Sequence, residues 1–277
     1  MIEFLTAPFE FAFMQRAFLG GVLVGTICAL VGTYVVLRGL AFVGDALAHA
    51  AFPGVVIAYL LKGNIYLGAA IFALATALGI GLISRRARMS YDTAIGILFA
   101  GAFALGVLLM STIRGYTVDL FSFLFGNILG ISGRDLLFVG LLGAVVVLTI
   151  ALFYKELLLL SFDPTVAEAM GYPVQALNYL LLALIALTIV ISIQAVGIIL
   201  VVALLVTPSA TAHLLTERLF RMMLLGILLA AFAAVVGLYL SFYLNVASGA
   251  AIVLVSTCMF FVVLAGRRAT VRRKRLA

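Results

Sequence analysis

The stretch that decides the fold is residues 174–216, VQALNYLLLALIALTIVISIQAVGIILVVALLVTPSATAHLLT, which contains no Asp, Glu, Lys or Arg. One membrane crossing takes roughly 20 apolar residues, so this run is about twice spanning length. A second run of similar length covers residues 222–266. We expect the first run to fold back near residues 194–197 and the second near residues 245–249, which gives four membrane spans.

Shorter apolar runs account for five more spans. Four of these runs lack Asp, Glu, Lys and Arg: residues 17–37, 63–84, 93–113 and 136–154. The fifth, residues 39–61, is interrupted only by Asp45. The sequence therefore predicts an all-α integral membrane protein in which the whole chain, residues 1–277, forms one transmembrane domain. Nine spans are expected, and eight spans with one partial helix are the alternative.

Composition excludes a water-soluble fold, because 66% of the residues are hydrophobic and only 10% are charged. Soluble domains carry about 25% charged residues. The net charge of +7 does not indicate nucleic-acid binding, since the basic residues stand at the ends of apolar runs. The chain has no phosphate-binding GxxxxGK[ST] sequence and neither HExxH nor GxSxG. It is therefore expected not to be an enzyme, and any ATP hydrolysis must come from a separate subunit.

The distribution of basic residues predicts an orientation. We place the basic tail, residues 267–277, in the cytoplasm and count back through nine spans. The inside then holds thirteen basic residues: Arg38, Arg85, Arg86, Arg88, Lys155, Arg218, Arg221 and six in the tail. The outside holds four: Arg16, Lys62, Arg114 and Arg134. The N-terminus is then outside, where residues 1–13 are expected to form an interfacial segment. Residues 114–135 are too polar for a plain span, and a partial or re-entrant helix is expected there.

One ionisable pair lies within a predicted span. Asp45 and His49 are four residues apart, so a helix places them on the same face. Ionisable groups inside a membrane are costly, and they indicate a functional site by default. A carboxylate and an imidazole are half of a site for a divalent transition-metal ion. The alternative is an Asp–His hydrogen bond that holds two helices together. Pro53 lacks an N–H group, so the helix can kink beside the pair, which suits a gate.

A second proline and the second histidine lie close together in the 174–216 run. Pro208 predicts another kink or a helix end, because its ring prevents one helical hydrogen bond. His213 is interpreted as a polar residue near the cytoplasmic interface, since no carboxylate but that of Glu217 stands near it in the sequence.

The sizeable internal cytoplasmic loop, residues 155–173, is expected to contain a short helix at about residues 164–170. Asp163 is a suitable N-cap, and the proline that follows it fits the first helical position. Gly171 and the proline two residues later then end the helix. This loop is the internal element long enough to receive a cytoplasmic partner.

Several segments together resemble the permease subunit of the manganese, zinc and iron class of ABC importers. The most specific is residues 35–54, VVLRGLAFVGDALAHAAFPG, which is similar to the family pattern VLR…GDAxxHAxxPG. Four further landmarks follow the order of the family: residues 13–17, 123–129, 162–171 and 205–212. The resemblance covers nearly the whole chain. The family often carries Arg where this chain has His213.

The resemblance implies a transport role. The chain would be the membrane-spanning subunit of an ATP-driven importer in the plasma (inner) membrane of a prokaryote, surrounded by lipid. It would hold no permanently bound cofactor and would pass manganese, zinc or iron ions into the cytoplasm. Asp45 and His49 would contact the ion. Two alternatives remain: a permease for a metal chelate or cobalamin, and a membrane scaffold that transports nothing.

The resemblance also implies partners. Two copies of the chain would form the path as a homodimer, two ATPase subunits would lie beneath it, and an extracytoplasmic metal-binding protein would deliver the ion. Residues 163–171 would be the coupling helix that transmits ATP-driven movement. The residues expected to contribute to this coupling are Phe162, Asp163, Ala167 and Gly171. Pro53 and Pro208 would allow the movement of a gate.

Overall fold

The predicted membrane spans are present in a computed structural model of the protein, which describes residues 6–113 and 128–276. Within those ranges nine helices are long and apolar enough to cross a membrane, and no strand occurs. The prediction of an all-α, polytopic fold with nine spans is confirmed. The partial helix expected at residues 114–135 lies mostly outside the described residues. So do residues 1–5 and the side chains from residue 268 onward.

The structure describes twelve α-helices, and ten of them form the nine spans because the second span is divided into two helices. The helices are α1 (Ala12–Leu37), α2 (Ala41–Ala50), α3 (Phe52–Leu60), α4 (Ile65–Arg86), α5 (Tyr91–Ser111), α6 (Gly133–Leu152), α7 (Tyr154–Phe162), α8 (Pro164–Ala169), α9 (Val174–Val196), α10 (Ile198–Leu215), α11 (Leu219–Leu244) and α12 (Ser248–Leu276). Helices α7 and α8 lie between the fifth and sixth spans.

Helix α1 lies at the centre of the bundle and packs against α6, α9, α10 and α11. Its crossing with α10 is close, because a Cβ atom on Gly32 would collide with the carbonyl oxygen of Leu205. Nearby, the hydroxyl of Ser209 donates a hydrogen bond to the carbonyl of Ala29 at 3.1 Å. Small residues let helices approach closely in lipid, where packing rather than water exclusion drives association. Helices α5, α6 and α12 are mostly exposed and form the periphery.

Both expected fold-backs in the long apolar runs are confirmed. Helices α9 and α10 meet at Gly197, whose φ of 83° suits glycine because it has no Cβ. Helix α11 ends at Asn245 in the left-handed conformation, with φ 53°. Asparagine tolerates this conformation better than most residues, which makes it a suitable helix terminator.

Residues 1–13 were expected to form an interfacial segment, and the structure describes this segment from residue 6 onward. Its described part forms a single turn of 3-10 helix, Ala7–Glu10, and α1 already begins at Ala12. The ring of Phe9 stacks on Phe18 of α1 with centroids 4.8 Å apart and also contacts Tyr239 of α11. The segment therefore packs against the bundle, and its position relative to a membrane interface stays a prediction.

The expected short helix in the 155–173 loop is present as α8. The Asp163 carboxylate accepts hydrogen bonds from the backbone N–H groups of Thr165 and Val166, both at 3.0 Å, so it caps the helix. The preceding residues were expected to be loop, but they form helix α7. Buried Leu157 and Leu160 explain this difference, because they anchor an amphipathic turn against the bundle.

Candidate functional site

Asp45 and His49 lie one turn apart in α2, as their spacing predicts. The His49 Nε2 atom is 3.6 Å from the Asp45 carboxylate, which is too long for a hydrogen bond. Both residues belong to one helix, so the pair does not join two helices, which weighs against a purely structural role. The Asp45 side chain is half exposed and that of His49 about a third exposed. The pair therefore offers an oxygen and a nitrogen on an accessible face.

The imidazole of His49 is held by aromatic rings of the neighbouring helix α5. Its ring meets Phe99 and Phe103 edge-on, with centroids 5.7 Å and 5.6 Å away. The Nδ1 atom is buried and has no hydrogen-bond partner in the described chain. Nε2 faces the Asp45 carboxylate, so it is the nitrogen placed to share a ligand with that oxygen. Packing that fixes a ring in this way limits the rearrangement needed when a ligand arrives.

The pair is not a complete metal site by itself. A structural or transported zinc ion takes about four ligands, and manganese takes more with water included. Within the ranges that the structure describes, no third His, Cys, Asp or Glu joins Asp45 and His49. The exposed face of α2 also carries Phe42, which is 72% exposed. A third ligand of these four residue types is therefore not supplied by the described part of this chain.

The second span is interrupted next to the pair, at Ala51, between α2 and α3. Pro53 stands at the start of α3 and cannot donate a hydrogen bond to the carbonyl of His49. The residue that follows, Gly54, lies against Gly68 of α4, and a Cβ on either glycine would collide with the carbonyl of the other. The break is thus fixed by a close helix crossing immediately beyond it.

The other predicted site residues lie apart from this pair. Helix α10 continues through Pro208 to Leu215, so this proline does not end the helix. His213 is exposed in the last turn of α10. Neither residue joins Asp45 and His49 in a group of metal-ligating side chains among the described residues.

The four predicted coupling residues surround α8. Asp163 caps the helix, Ala167 is the fully buried residue within it, and Gly171 lies just beyond its end with φ 84°. Phe162 before the helix is 57% exposed, and the apolar side chains of Val166 within it and Met170 at its end are exposed as well. A helix that exposes this much apolar surface outside the membrane-spanning helices has a face available for a protein partner.

Two polar contacts between spans were not predicted from the sequence. The Gln194 side chain in α9 donates to the carboxylate of Asp135 in α6 at 2.9 Å, and Ser132 completes a capping box with the same carboxylate. Arg38, which follows α1, donates to the side-chain oxygen of Asn178 in α9 at 2.6 Å. The Ser132–Asp135 spacing is a readable capping signal, whereas the interhelical partners have no local signal.

Comparison with known proteins gives a consistent picture. The profile of the ABC 3 transport family matches residues 10–267. The manganese transport system membrane protein MntC of Listeria monocytogenes is 46% identical over 259 residues, which cover 94% of this chain and 92% of that protein. The chelated iron transport system membrane protein YfeD of Yersinia pestis is 37% identical, over 95% of this chain and 89% of YfeD.

A solved structure supports the same assignment. PsaBC from Streptococcus pneumoniae in complex with Fab contains a chain that superimposes with a TM-score of 0.83 at 39% identity, and 95% of each chain is covered. The family profile spans more than nine tenths of the sequence, and the structural match covers 95% of the chain. The chain therefore belongs to the ABC 3 transport family, the membrane-spanning permease subunits of metal-type ABC importers.

Proposed function

We propose that this chain passes a divalent transition-metal ion, Mn²⁺, Zn²⁺ or Fe²⁺, through the plasma membrane of a prokaryote into the cytoplasm. The observation that carries the proposal is the Asp45–His49 pair, which presents an oxygen and a nitrogen on an exposed face of α2. These ligand types suit all three metals. A site with few protein ligands is weak, and a transport site must release its ion.

A homodimer would complete the site. Two-fold symmetry brings the same surface of each subunit to the axis, so two copies can present two carboxylates and two imidazoles. The exposure of Asp45, and of Phe42 one turn earlier on α2, leaves this face open to a second copy. Four such ligands satisfy zinc, and added water satisfies manganese.

The energy would come from a separate ATPase that docks on α8, and an extracytoplasmic binding protein would deliver the ion. The exposed apolar residues Phe162, Val166 and Met170 form the docking surface proposed for the ATPase. The asymmetric distribution of basic residues supports a cytoplasmic position for α8 and for the basic tail.

The test is metal uptake by proteoliposomes that contain the permease, its ATPase and its binding protein. Asp45→Asn keeps the shape of the side chain but removes the charge, and uptake should fall at least about tenfold because a charged ligand is lost from each subunit. Asp92→Asn is the matched control, since Asp92 is an exposed carboxylate in the first turn of α5. Equal uptake by Asp45→Asn and the control would exclude Asp45 from the path.

The second candidate substrate is a metal chelate, because the relative YfeD is named for chelated iron. A chelate brings its own ligands and does not need the imidazole of His49. Uptake of a chelate that survives His49→Ala, while uptake of the free ion is lost, would favour this second candidate.

A further inference from the structure

A second polar site lies away from Asp45 and His49, where several spans end beside α8. A pocket of about 180 Å³ opens between the C-terminal end of α4 and the N-terminal ends of α5 and α9. The polar and aromatic side chains that line it are Ser84, Arg85, Tyr91, Gln175, Asn178 and Tyr179.

A second arginine, Arg38 at the end of α1, contacts one wall of this pocket through the lining residue Asn178. The Arg38 Nη1 atom donates a hydrogen bond to the Asn178 side-chain oxygen at 2.6 Å, and the guanidinium interacts electrostatically with Tyr91. Arg38 is half-buried, and this burial lowers the pKa of its guanidinium from the ordinary value, with Tyr91 opposing the shift. The lowered pKa reflects the cost of holding a positive charge partly away from water.

The two arginines have no carboxylate partner. In the described part of the chain the only contact within 4 Å between a carboxylate and a basic side chain is that of Asp45 with His49. Asp92, one residue after the pocket residue Tyr91, is exposed and pairs with neither arginine. A guanidinium has five N–H donors, and the side chain of Asn178 accepts from Arg38 through only one nitrogen. Arg38 is half-buried, and a charge of this kind is normally paired, whereas Arg85 is exposed to whatever enters the pocket.

We propose that this pocket binds the phosphate group of an anionic phospholipid headgroup. Three of its walls are ends of membrane spans, so it lies where headgroups lie. Planar guanidinium groups bind phosphate oxygens through paired hydrogen bonds, and basic pockets between spans on the cytoplasmic side suit anionic lipids. The N-terminal ends of α5 and α9 add the positive ends of two helix dipoles. A lipid held here contacts the first turn of α9, the helix into which α8 leads.

The alternative to a specific lipid site is that Arg38 and Arg85 only reflect the general enrichment of basic residues at cytoplasmic helix ends. The chain contains a matched control for this alternative. Arg86 carries the same charge at the same level of the same helix but does not line the pocket. General surface attraction predicts similar effects for Arg85→Gln and Arg86→Gln, whereas a pocket predicts different ones.

The experiment is native mass spectrometry of the purified full-length permease, titrated with phosphatidylglycerol and with phosphatidylcholine as the neutral lipid. We expect Arg85→Gln to lose about tenfold more affinity for phosphatidylglycerol than Arg86→Gln, because a charge-assisted hydrogen bond is lost. Arg38→Gln should behave like Arg85→Gln. Equal affinities of Arg85→Gln and Arg86→Gln, or equal binding of the two lipids by the wild type, would overturn the proposal.

A second arm identifies the source of the phosphate. Inorganic phosphate is added to the lipid-free permease, and the melting temperature is followed for the wild type and Arg85→Gln. No stabilisation by phosphate is the expected result for a lipid site. Stabilisation of the wild type alone, without retention of phosphatidylglycerol, would refute the lipid as ligand. Neither arm requires metal or transport, so the outcome is independent of the proposed metal-transport function.

Discussion

The capping of α8 by Asp163 allows a quantitative prediction of how strongly ATP hydrolysis is coupled to metal uptake. Helix α8 has six residues, far below the length at which an isolated helix is stable, so it depends on its ends and on buried Ala167. The Asp163 carboxylate satisfies two backbone N–H groups at 3.0 Å each. Replacing such a cap by Ala costs about 1 kcal/mol, which shifts the equilibrium between an ordered and a frayed helix about fivefold.

We therefore expect Asp163→Ala to reduce metal uptake severalfold per ATP hydrolysed, because a frayed α8 transmits movement poorly. The assay measures ATP hydrolysis and uptake together in proteoliposomes of the full importer, so that their ratio reports coupling. The permease itself should still assemble, since Asp163 is exposed and contacts no membrane span in its capping role.

Asp163→Asn tests whether coupling requires the capping hydrogen bonds of Asp163 or its negative charge. An asparagine side chain caps a helix about as well as aspartate, so this variant should couple like the wild type. If Asp163→Asn is as poorly coupled as Asp163→Ala, the negative charge itself is required, and the capping argument is refuted.

Two further predictions concern contacts between helices. Gly54→Ala should lower the melting temperature, because the added Cβ meets the carbonyl of Gly68. Gly101 has open space around it, so Gly101→Ala should change the melting temperature little. Equal melting temperatures of the two variants would contradict the close crossing. Gln194→Ala removes the hydrogen bond to Asp135, and the free energy of unfolding should fall by about 1–3 kcal/mol, as measured by thermal unfolding in detergent. An unchanged stability would show that water replaces the Gln194 amide.

Much of the fold could be predicted because a membrane imposes simple length and composition rules. The nine spans follow from apolar runs, and Gly197 and Asn245 mark the turns between paired spans, since both adopt positive φ values. The short helix α8 could be predicted from its cap and its terminating glycine. Helix α7 was missed, because its boundary depends on how Leu157 and Leu160 pack against other helices.

The site was only partly predictable. The shared face of Asp45 and His49 follows from helical spacing, but the aromatic packing around His49 comes from α5, about fifty residues later. The contacts Arg38–Asn178 and Asp135–Gln194 join residues far apart in the chain. Polar residues within apolar runs indicate that partners exist, but only the packing of the bundle determines which ones meet.

The position of the pair along its span has a functional consequence. Asp45 is in the second turn of α2, about 6 Å from its start, and α2 follows the turn that contains Arg38. The hydrogen bond from Arg38 to Asn178 places this end of the bundle next to the start of α9, close to α8. The proposed ion site therefore lies toward the end of the bundle where α9 begins, and the proposed coupling helix α8 precedes α9 at that end.

The most direct test of the metal-binding claim is anomalous scattering from crystals of the importer soaked in Mn²⁺. We predict a peak between the Asp45 carboxylate and the His49 Nε2 atom, near a two-fold axis that brings in the same residues of a second subunit. The peak should be absent in Asp45→Asn. A peak elsewhere in the permease, or one that persists in Asp45→Asn, would refute metal binding by this pair.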